Sequence, residues 1–182
     1  MKSKKRMNIQ QLIYVCALVI FGVLSSESSF AQNPEASKKE MNKLSNWIGQ
    51  WEGEGWEMDQ SGQRNTFTVE ENVAYKLNGL AIFVEGKGKN SDGQLGHNAV
   101  GLIYYDQEKK SFRFNSMTQE GMNSLSELVI QSNGDFVWGF DVPGGKVQFT
   151  ITVTKNTWTE KGAYSDGNNW YPFLEMNLNR VK

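Results

Sequence analysis

Two acidic residues stand where a strand would ordinarily be apolar. Glu71 falls between Val69 and Val73, and Glu160 shares the parity of Trp158. A carboxyl that points into an apolar interior keeps its proton to unusually high pH. Glu71 or Glu160, with a tyrosine nearby, could therefore pass a proton to or from a substrate. The plainer reading carries more weight: a bulge turns Glu71 outward, or a partner meets it at the mouth of the fold. The remaining strand carboxylates, such as Glu85, Glu120, Glu127 and Glu175, are scattered. His97, the one histidine, follows Asp92-Gly93-Gln94-Leu95-Gly96 and reads as a surface-loop residue near the entrance to a strand. Gly86-Lys87-Gly88 lacks the spacing of a phosphate loop. Asp92-Gly93 and Asp166-Gly167 are turn chemistry and not calcium loops. No catalytic residue, metal site or cofactor is named by these patterns, and an enzyme is the weaker expectation.

The elements that must position these residues begin after a leader. Lys2, Lys4, Lys5 and Arg6 precede an apolar run over residues 12–24, and Ser29-Phe30-Ala31 places small residues where a signal peptidase reads. We expect residues 1–31 to be a cleaved signal peptide, because the run is shorter than the ~18–20 residues a membrane span needs. The one cysteine, Cys16, lies within that run and lacks the small-residue context of a lipoprotein site. Its removal leaves no thiol for disulfides, nucleophilic attack or metal binding. A cysteine-free exported chain suits a bacterial periplasm or secretion. Residues 32–182, about 150 in all, are one domain by length, with enough chain for a real core. The full chain carries 19 basic and 20 acidic residues, and losing the basic leader makes the rest mildly acidic. That balance argues against nucleic acid as a partner. No membrane span is expected in the mature chain, and its oligomeric state is not legible.

Residues 32–37 read as a loose terminus. Residues 38–47 have helical spacing, with Met41, Leu44, Trp47 and Ile48 at steps of three and four. From Gly49 the period becomes two. Breaks follow at Ser61-Gly62, Asn78-Gly79, Asp92-Gly93, 107–110, 119–121, Asn133-Gly134, Pro143-Gly144-Gly145, Lys155-Asn156 and 165–169. Ten strands joined by short turns imply consecutive hairpins. A meander of that length leaves two long edges unless its ends meet, so closure into a barrel is favoured over a sandwich.

Gly49-Gln50-Trp51 resembles the lipocalin Gly-x-Trp signature. The longer run Gly49-Gln50-Trp51-Glu52-Gly53-Glu54-Gly55 is similar to the opening of nitrobindin-type ten-stranded barrels. In pattern, the chain resembles the calycin superfamily, and most of all its exported bacterial lipocalin-like members. The resemblance implies an all-β fold: a ten-stranded antiparallel up-and-down barrel with one short N-terminal plug helix, holding a small hydrophobic or amphipathic molecule. It implies that Trp51 seals the closed end, and that Gly53 and Gly55 let the first strand bend and the opposite wall approach. It also implies that Arg180, on the parity of Leu174, Met176 and Leu178, stacks over Trp51. Gly49, Trp51, Gly53, Gly55 and Arg180 are thus structural. Nitrobindin-type barrels hold haem iron through a late histidine. The corresponding residues 164–171 contain none, offering Ser165, Asp166, Asn168 and Asn169 instead, so haem is a minor alternative.

Aromatic residues are dense, with six Trp, six Tyr and ten Phe, more than one filled core would need unless some line a cavity. The nominated ligand wall is Trp56, Phe67, Glu71, Tyr75, Phe83, Tyr104, Phe114, Met117, Trp138, Phe149, Trp158, Trp170 and Met176. Phe112 and Phe114 open a face that becomes Ser116, Thr118 and Glu120, beside Met122, Ser124 and Ser126. If those positions face inward, they make an amphipathic wall of the kind a carboxylate- or hydroxyl-bearing lipid would use. If not, the hydroxyls face solvent.

Overall fold

The computed structural model describes residues 33–59 and 61–182; the expected leader lies outside the described residues. The chain starts with helix α1 (Pro34–Met41) and tightens into a 3-10 turn (Asn42–Trp47). The helix begins earlier than its apolar spacing suggests, because Asn33-Pro34 supplies the start signal. The Asn33 side chain accepts hydrogen bonds from the N–H groups of Glu35 and Ala36 at 3.1 and 3.2 Å, and proline suits the first helical turn. Residues 34–37 are therefore helical and not a loose end. Gln107 ties this start to the barrel: its amide donates to the Asn33 carbonyl at 2.8 Å and to Ser37 Oγ at 2.7 Å.

Ten strands follow: β1 (Gly49–Met58), β2 (Arg64–Lys76), β3 (Ala81–Asn90), β4 (Leu95–Asp106), β5 (Ser111–Thr118), β6 (Asn123–Ile130), β7 (Phe136–Val142), β8 (Gly145–Val153), β9 (Thr157–Ser165) and β10 (Trp170–Arg180). Each pairs antiparallel with its neighbours in sequence, and β1 closes on β10 through Trp51↔Arg180 to Glu57↔Leu174. The result is a closed ten-stranded up-and-down barrel. Closure removes both sheet edges. Every connection between strands falls on one of the breaks read from the sequence. The β6–β7 seam is the exception to full pairing: its register holds only Val129↔Val137 and Ile130↔Phe136. Above those pairs, Ser124 and Ser126 on β6 stand along an unladdered gap from Trp138 and Phe140 on β7.

Register assigns the faces. Trp51, Val69, Val73, Ile82, Ile103, Phe112, Leu128, Phe136, Ile151, Trp158 and Leu178 are buried and share the inner surface. Helix α1 and its 3-10 turn add Met41, Leu44 and Trp47, all 0–1% exposed, across one end. Trp47 meets Phe136 at 5.0 Å and Trp158 at 4.7 Å, both edge to face, and Trp158 meets Trp51 at 5.7 Å. This end is the floor.

Arg180 ties the floor together. Its guanidinium lies 4.0 Å over the Trp51 ring, donates to the carbonyls of Lys155 at 2.5 Å and Asn46 at 2.6 Å, and donates to that of Ile48. Trp51 in turn donates from Nε1 to the Trp47 carbonyl at 2.8 Å. Gly49 sits at φ +144°, where any side chain would strike Arg180. A Cβ at Gly53 would strike the β10 backbone at Asn177 and Leu178. That close neighbour is the adjacent strand, and not the opposite wall as expected.

Candidate functional site

Above the floor the inner surface changes character. Glycines recur there: Gly55 on β1, Gly86 and Gly88 on β3, Gly101 on β4 and Gly162 on β9. A side chain from a neighbouring strand lies in several of the recesses they leave. Phe67 packs over Gly55, Glu71 over Gly86, Phe114 over Gly101, and Phe149 with Phe173 over Gly162. Large side chains thus lie along the wall and not across the barrel axis. Trp138 stacks on Phe149 at 4.4 Å and meets Phe114 edge-on at 4.7 Å.

Glu71 points inward. No bulge interrupts the β1–β2 or β2–β3 register beside it, so the preferred sequence reading is overturned. Its carboxyl is 8% exposed, and Oε2 has no hydrogen-bond partner. Burial, reinforced by the charge of Glu160, pushes its pKa up to about 8. Glu160 also faces inward, opposite Ile151 on β8 and Met176 on β10. Burial raises its pKa to about 7, while the Trp158 N–H held towards it restrains the rise. That N–H still falls short of a hydrogen bond, so Trp158 Nε1 counts as unpartnered. Glu160 keeps part of its surface accessible although protein surrounds it, as a residue lining an internal space does.

Three more buried polar atoms lack a partner, Trp47 Nε1 in the floor and Trp138 Nε1 and Ser126 Oγ on the wall, while Thr118 Oγ1 is held towards the Glu120 carboxylate at the mouth. Buried polar groups in folded proteins are nearly always hydrogen-bonded, so these atoms mark where a water or another polar group would be held. Ser116 and Ser124 satisfy each other at 2.8 Å. The register of β4–β5 and β5–β6 turns Phe112, Phe114, Ser116, Thr118, Ser124 and Ser126 inward, which settles the open parity question in favour of an amphipathic inner wall.

Of the nominated wall residues, Phe67, Glu71, Phe114, Trp138, Phe149 and Met176 line this chamber. Trp158 belongs to the floor. Tyr75 has inward parity but stands at the floor rim, 38% exposed. The other five face outward. Trp56 lies under the Arg64 guanidinium at 3.8 Å, and Phe83 lies near Lys76. Tyr104 pairs with Ala81 and Arg113 on the outer face, and Met117 is 53% exposed. Trp170 is displaced by a register shift between Pro172 and Leu174. That shift turns Phe173 inward against Phe149 at 5.7 Å; Phe173 was missed because the bulge reverses parity. Inner-face tyrosines stand at the barrel's ends, Tyr75 and Tyr105 by the floor, Tyr164 and Tyr171 by the mouth. None is placed beside the two carboxyls as a proton-transfer partner.

His97 is not on a loop. It lies on β4, opposite Gly88 and on the inner parity, at the mouth. Its surroundings lower its pKa by desolvation, against the opposing pull of Glu120 and Glu57. The residues present do not suit haem. Asp166 in the late loop caps the N–H groups of Asn168 and Asn169, both at 2.8 Å, and accepts the Tyr171 hydroxyl at 3.0 Å. The acidic pair around His97 is a poor setting for a group that carries carboxylates of its own. A separate cleft of about 480 Å³ at the floor end, between the 3-10 turn and the β6–β7 hairpin, is lined by none of the unpartnered buried atoms.

No family model matches the chain, and no curated protein matches it in sequence. Solved structures do match in shape. Rv2717c from M. tuberculosis superposes with a TM-score of 0.65 at 12% identity, covering 78% of this chain and 97% of that one. The S-type phycobiliprotein lyase CPES from Guillardia theta gives 0.53 at 11% identity, covering 84% and 99%. A fluorescence-activating β-barrel of de novo design gives 0.38 at 17% identity, covering 76% and 97%. At these identities the first two likenesses speak to the fold alone, which is that of a calycin-like β-barrel.

Proposed function

We propose that this chain is an exported binding protein that holds a small amphipathic molecule inside its barrel. The observation that carries the reading is the set of buried, unpartnered polar atoms on an inner wall whose Phe67, Trp138 and Phe149 rings lie flat and keep part of their surface accessible. Carrier sites are typically apolar pockets with a few convergent polar groups, and that is the composition of this chamber. The unladdered part of the β6–β7 seam supports a side entrance, since fewer hydrogen bonds must break there for the wall to part. Export rests on the leader read in residues 1–31.

The test is native mass spectrometry on protein purified gently from its own host. We expect a mass excess of a few hundred daltons that organic solvent removes. An apo mass from every preparation, together with a crystal structure in which the inner side chains close the chamber, would end this reading.

A further inference from the structure

The charge of the chamber selects among amphipathic molecules. Its inner positions carry Glu71 and Glu160 and, at the mouth, Glu57. No lysine stands on the inner parity of any of the ten strands, and Arg180, the one arginine there, is spent on Trp51 and three floor carbonyls. A carboxylate-bearing lipid would meet two buried carboxyls and no cation. The amphipathic wall read from the sequence is present, but its charge is wrong for that ligand.

We infer that the chamber takes a small organic cation, a protonated amine on an aromatic or aliphatic body, with the amine seated at Glu71 and Glu160. This rests on the carrier reading above. Glu71 is more than nine-tenths buried with one oxygen unpartnered, and Trp158 and Ser126, also more than nine-tenths buried, have unpartnered N–H and O–H groups. An ammonium offers several N–H donors to the carboxyl oxygens. The Trp138, Phe149 and Phe114 rings present faces and edges to the body, and aromatic faces attract cations. Ser126 Oγ and Trp138 Nε1 could donate to an acceptor elsewhere on the ligand. A metal ion is the poorer occupant: among the described residues no group of three or more metal-ligating side chains occurs.

Binding is then linked to pH. Glu160 is the charged group that acts on Glu71; the other charged groups on or beside the inner face are Arg180 of β10 in the floor and Glu57 of β1, His97 of β4 and Glu120 of the β5–β6 turn at the mouth, and the inner faces of β3, β5, β6, β7 and β8 add none. Tyr164 and Tyr171 stand at the mouth. An incoming ammonium favours the ionised carboxyls, so protons leave as it enters.

Isothermal calorimetry of the full mature chain with naphthylmethylamine, naphthylmethanol and naphthoate tests this. These probes share a body and differ in charge. At about pH 7.5 the amine is expected to bind roughly tenfold tighter than either analogue, with proton release seen as buffer-dependent heat. Its advantage should shrink to about threefold or less at pH 5.5, where the pair holds its protons. Glu71→Gln should bring the amine down to about the affinity of the alcohol; Glu160→Gln serves the same purpose if the first variant does not fold. Equal or tighter binding of naphthoate or naphthylmethanol would overturn the cation inference and leave the carrier reading standing. No binding by any of the three would count against both.

Discussion

The two ends of the barrel interior are built on opposite rules. The floor is largely satisfied: Trp51 donates to Trp47, Arg180 covers Trp51 and caps three carbonyls, and three indoles interlock edge to face. Its exceptions are the indole N–H groups of Trp47 and Trp158. The chamber above it leaves Glu71, Ser126 and Trp138 unsatisfied, and its glycines accept side chains that lie flat. Satisfied packing contributes stability, while unpaired buried polar groups cost it. The fold therefore places its stabilising contacts below and tolerates a destabilising constellation above, the division expected when the upper part serves a ligand.

Breaking the floor should have the largest effect. Trp51 is 0% exposed, and Trp51→Ala removes a large buried ring, its hydrogen bond and the seat of Arg180. A loss of roughly 3–5 kcal/mol is expected, read from urea unfolding followed by circular dichroism. A loss below about 1 kcal/mol would mean that the floor is not where stability resides.

What was legible in the sequence follows the same division. The turns and the floor were readable because they depend on local chemistry: Gly and Asn at breaks, and a Gly-x-Trp opening with a late arginine. The chamber was harder because its strands do not alternate cleanly. On β4 the inner face is Ala99, Gly101 and Ile103, while Val100, Leu102 and Tyr104 face out. The outer set looks more core-like, yet Phe114 from β5 fills the space over Gly101. On β3, residues 81–84 are apolar throughout, so period two could not place Phe83. Trp56 is one residue out of step with Trp51, Gly53 and Gly55, and its ring type misled where its parity was correct. Trp170 and Phe173 were exchanged by a bulge beside Pro172, whose place inside a strand was the one mark of it in the sequence. Glu71 was visible as an anomaly, but nothing local could show that it stays buried.

The pH dependence of stability sharpens the comparison next. Glu71 and Glu160 have raised folded-state values, about 8 and about 7, against an ordinary 4.5. Below pH 4.5 both states hold these protons. Above it the unfolded chain releases them while the folded chain keeps them, so stability falls as pH rises until the folded groups ionise. Each carboxyl contributes a slope of about 1.4 kcal/mol per pH unit within its window. Urea midpoints should drop between pH 5 and pH 8, and Glu71→Gln should flatten much of that drop and be the more stable protein at pH 8. An unchanged pH profile in Glu71→Gln would mean that the carboxyl is solvated and the chamber wet.

Two glycines compare the regions directly. A Cβ at Gly53 would lie 2.8 Å from the Leu178 Cα, and one at Gly162 would lie 2.9 and 3.0 Å from ring atoms of Phe173 and Phe149. Backbone cannot move aside cheaply, whereas partly exposed rings can. Gly53→Ala should cost about 2–3 kcal/mol and Gly162→Ala about 1 kcal/mol. The second variant should also bind the amine probe more weakly, since the displaced rings enter the chamber. Equal costs would indicate that the chamber is packed as firmly as the floor.

The smallest effect is expected outside the wall. Arg64 lies 3.8 Å over Trp56 on the outer face, where water competes for the cation, so Arg64→Ala should change stability by about 0.5 kcal/mol and leave probe binding untouched. The variant matters because Trp56 was a natural candidate for the ligand wall. If Arg64→Ala or Trp56→Ala abolished probe capture while Glu71→Gln did not, the occupied surface would be the exterior. The contrast between floor and chamber would then describe two grades of core packing, with the ligand bound elsewhere.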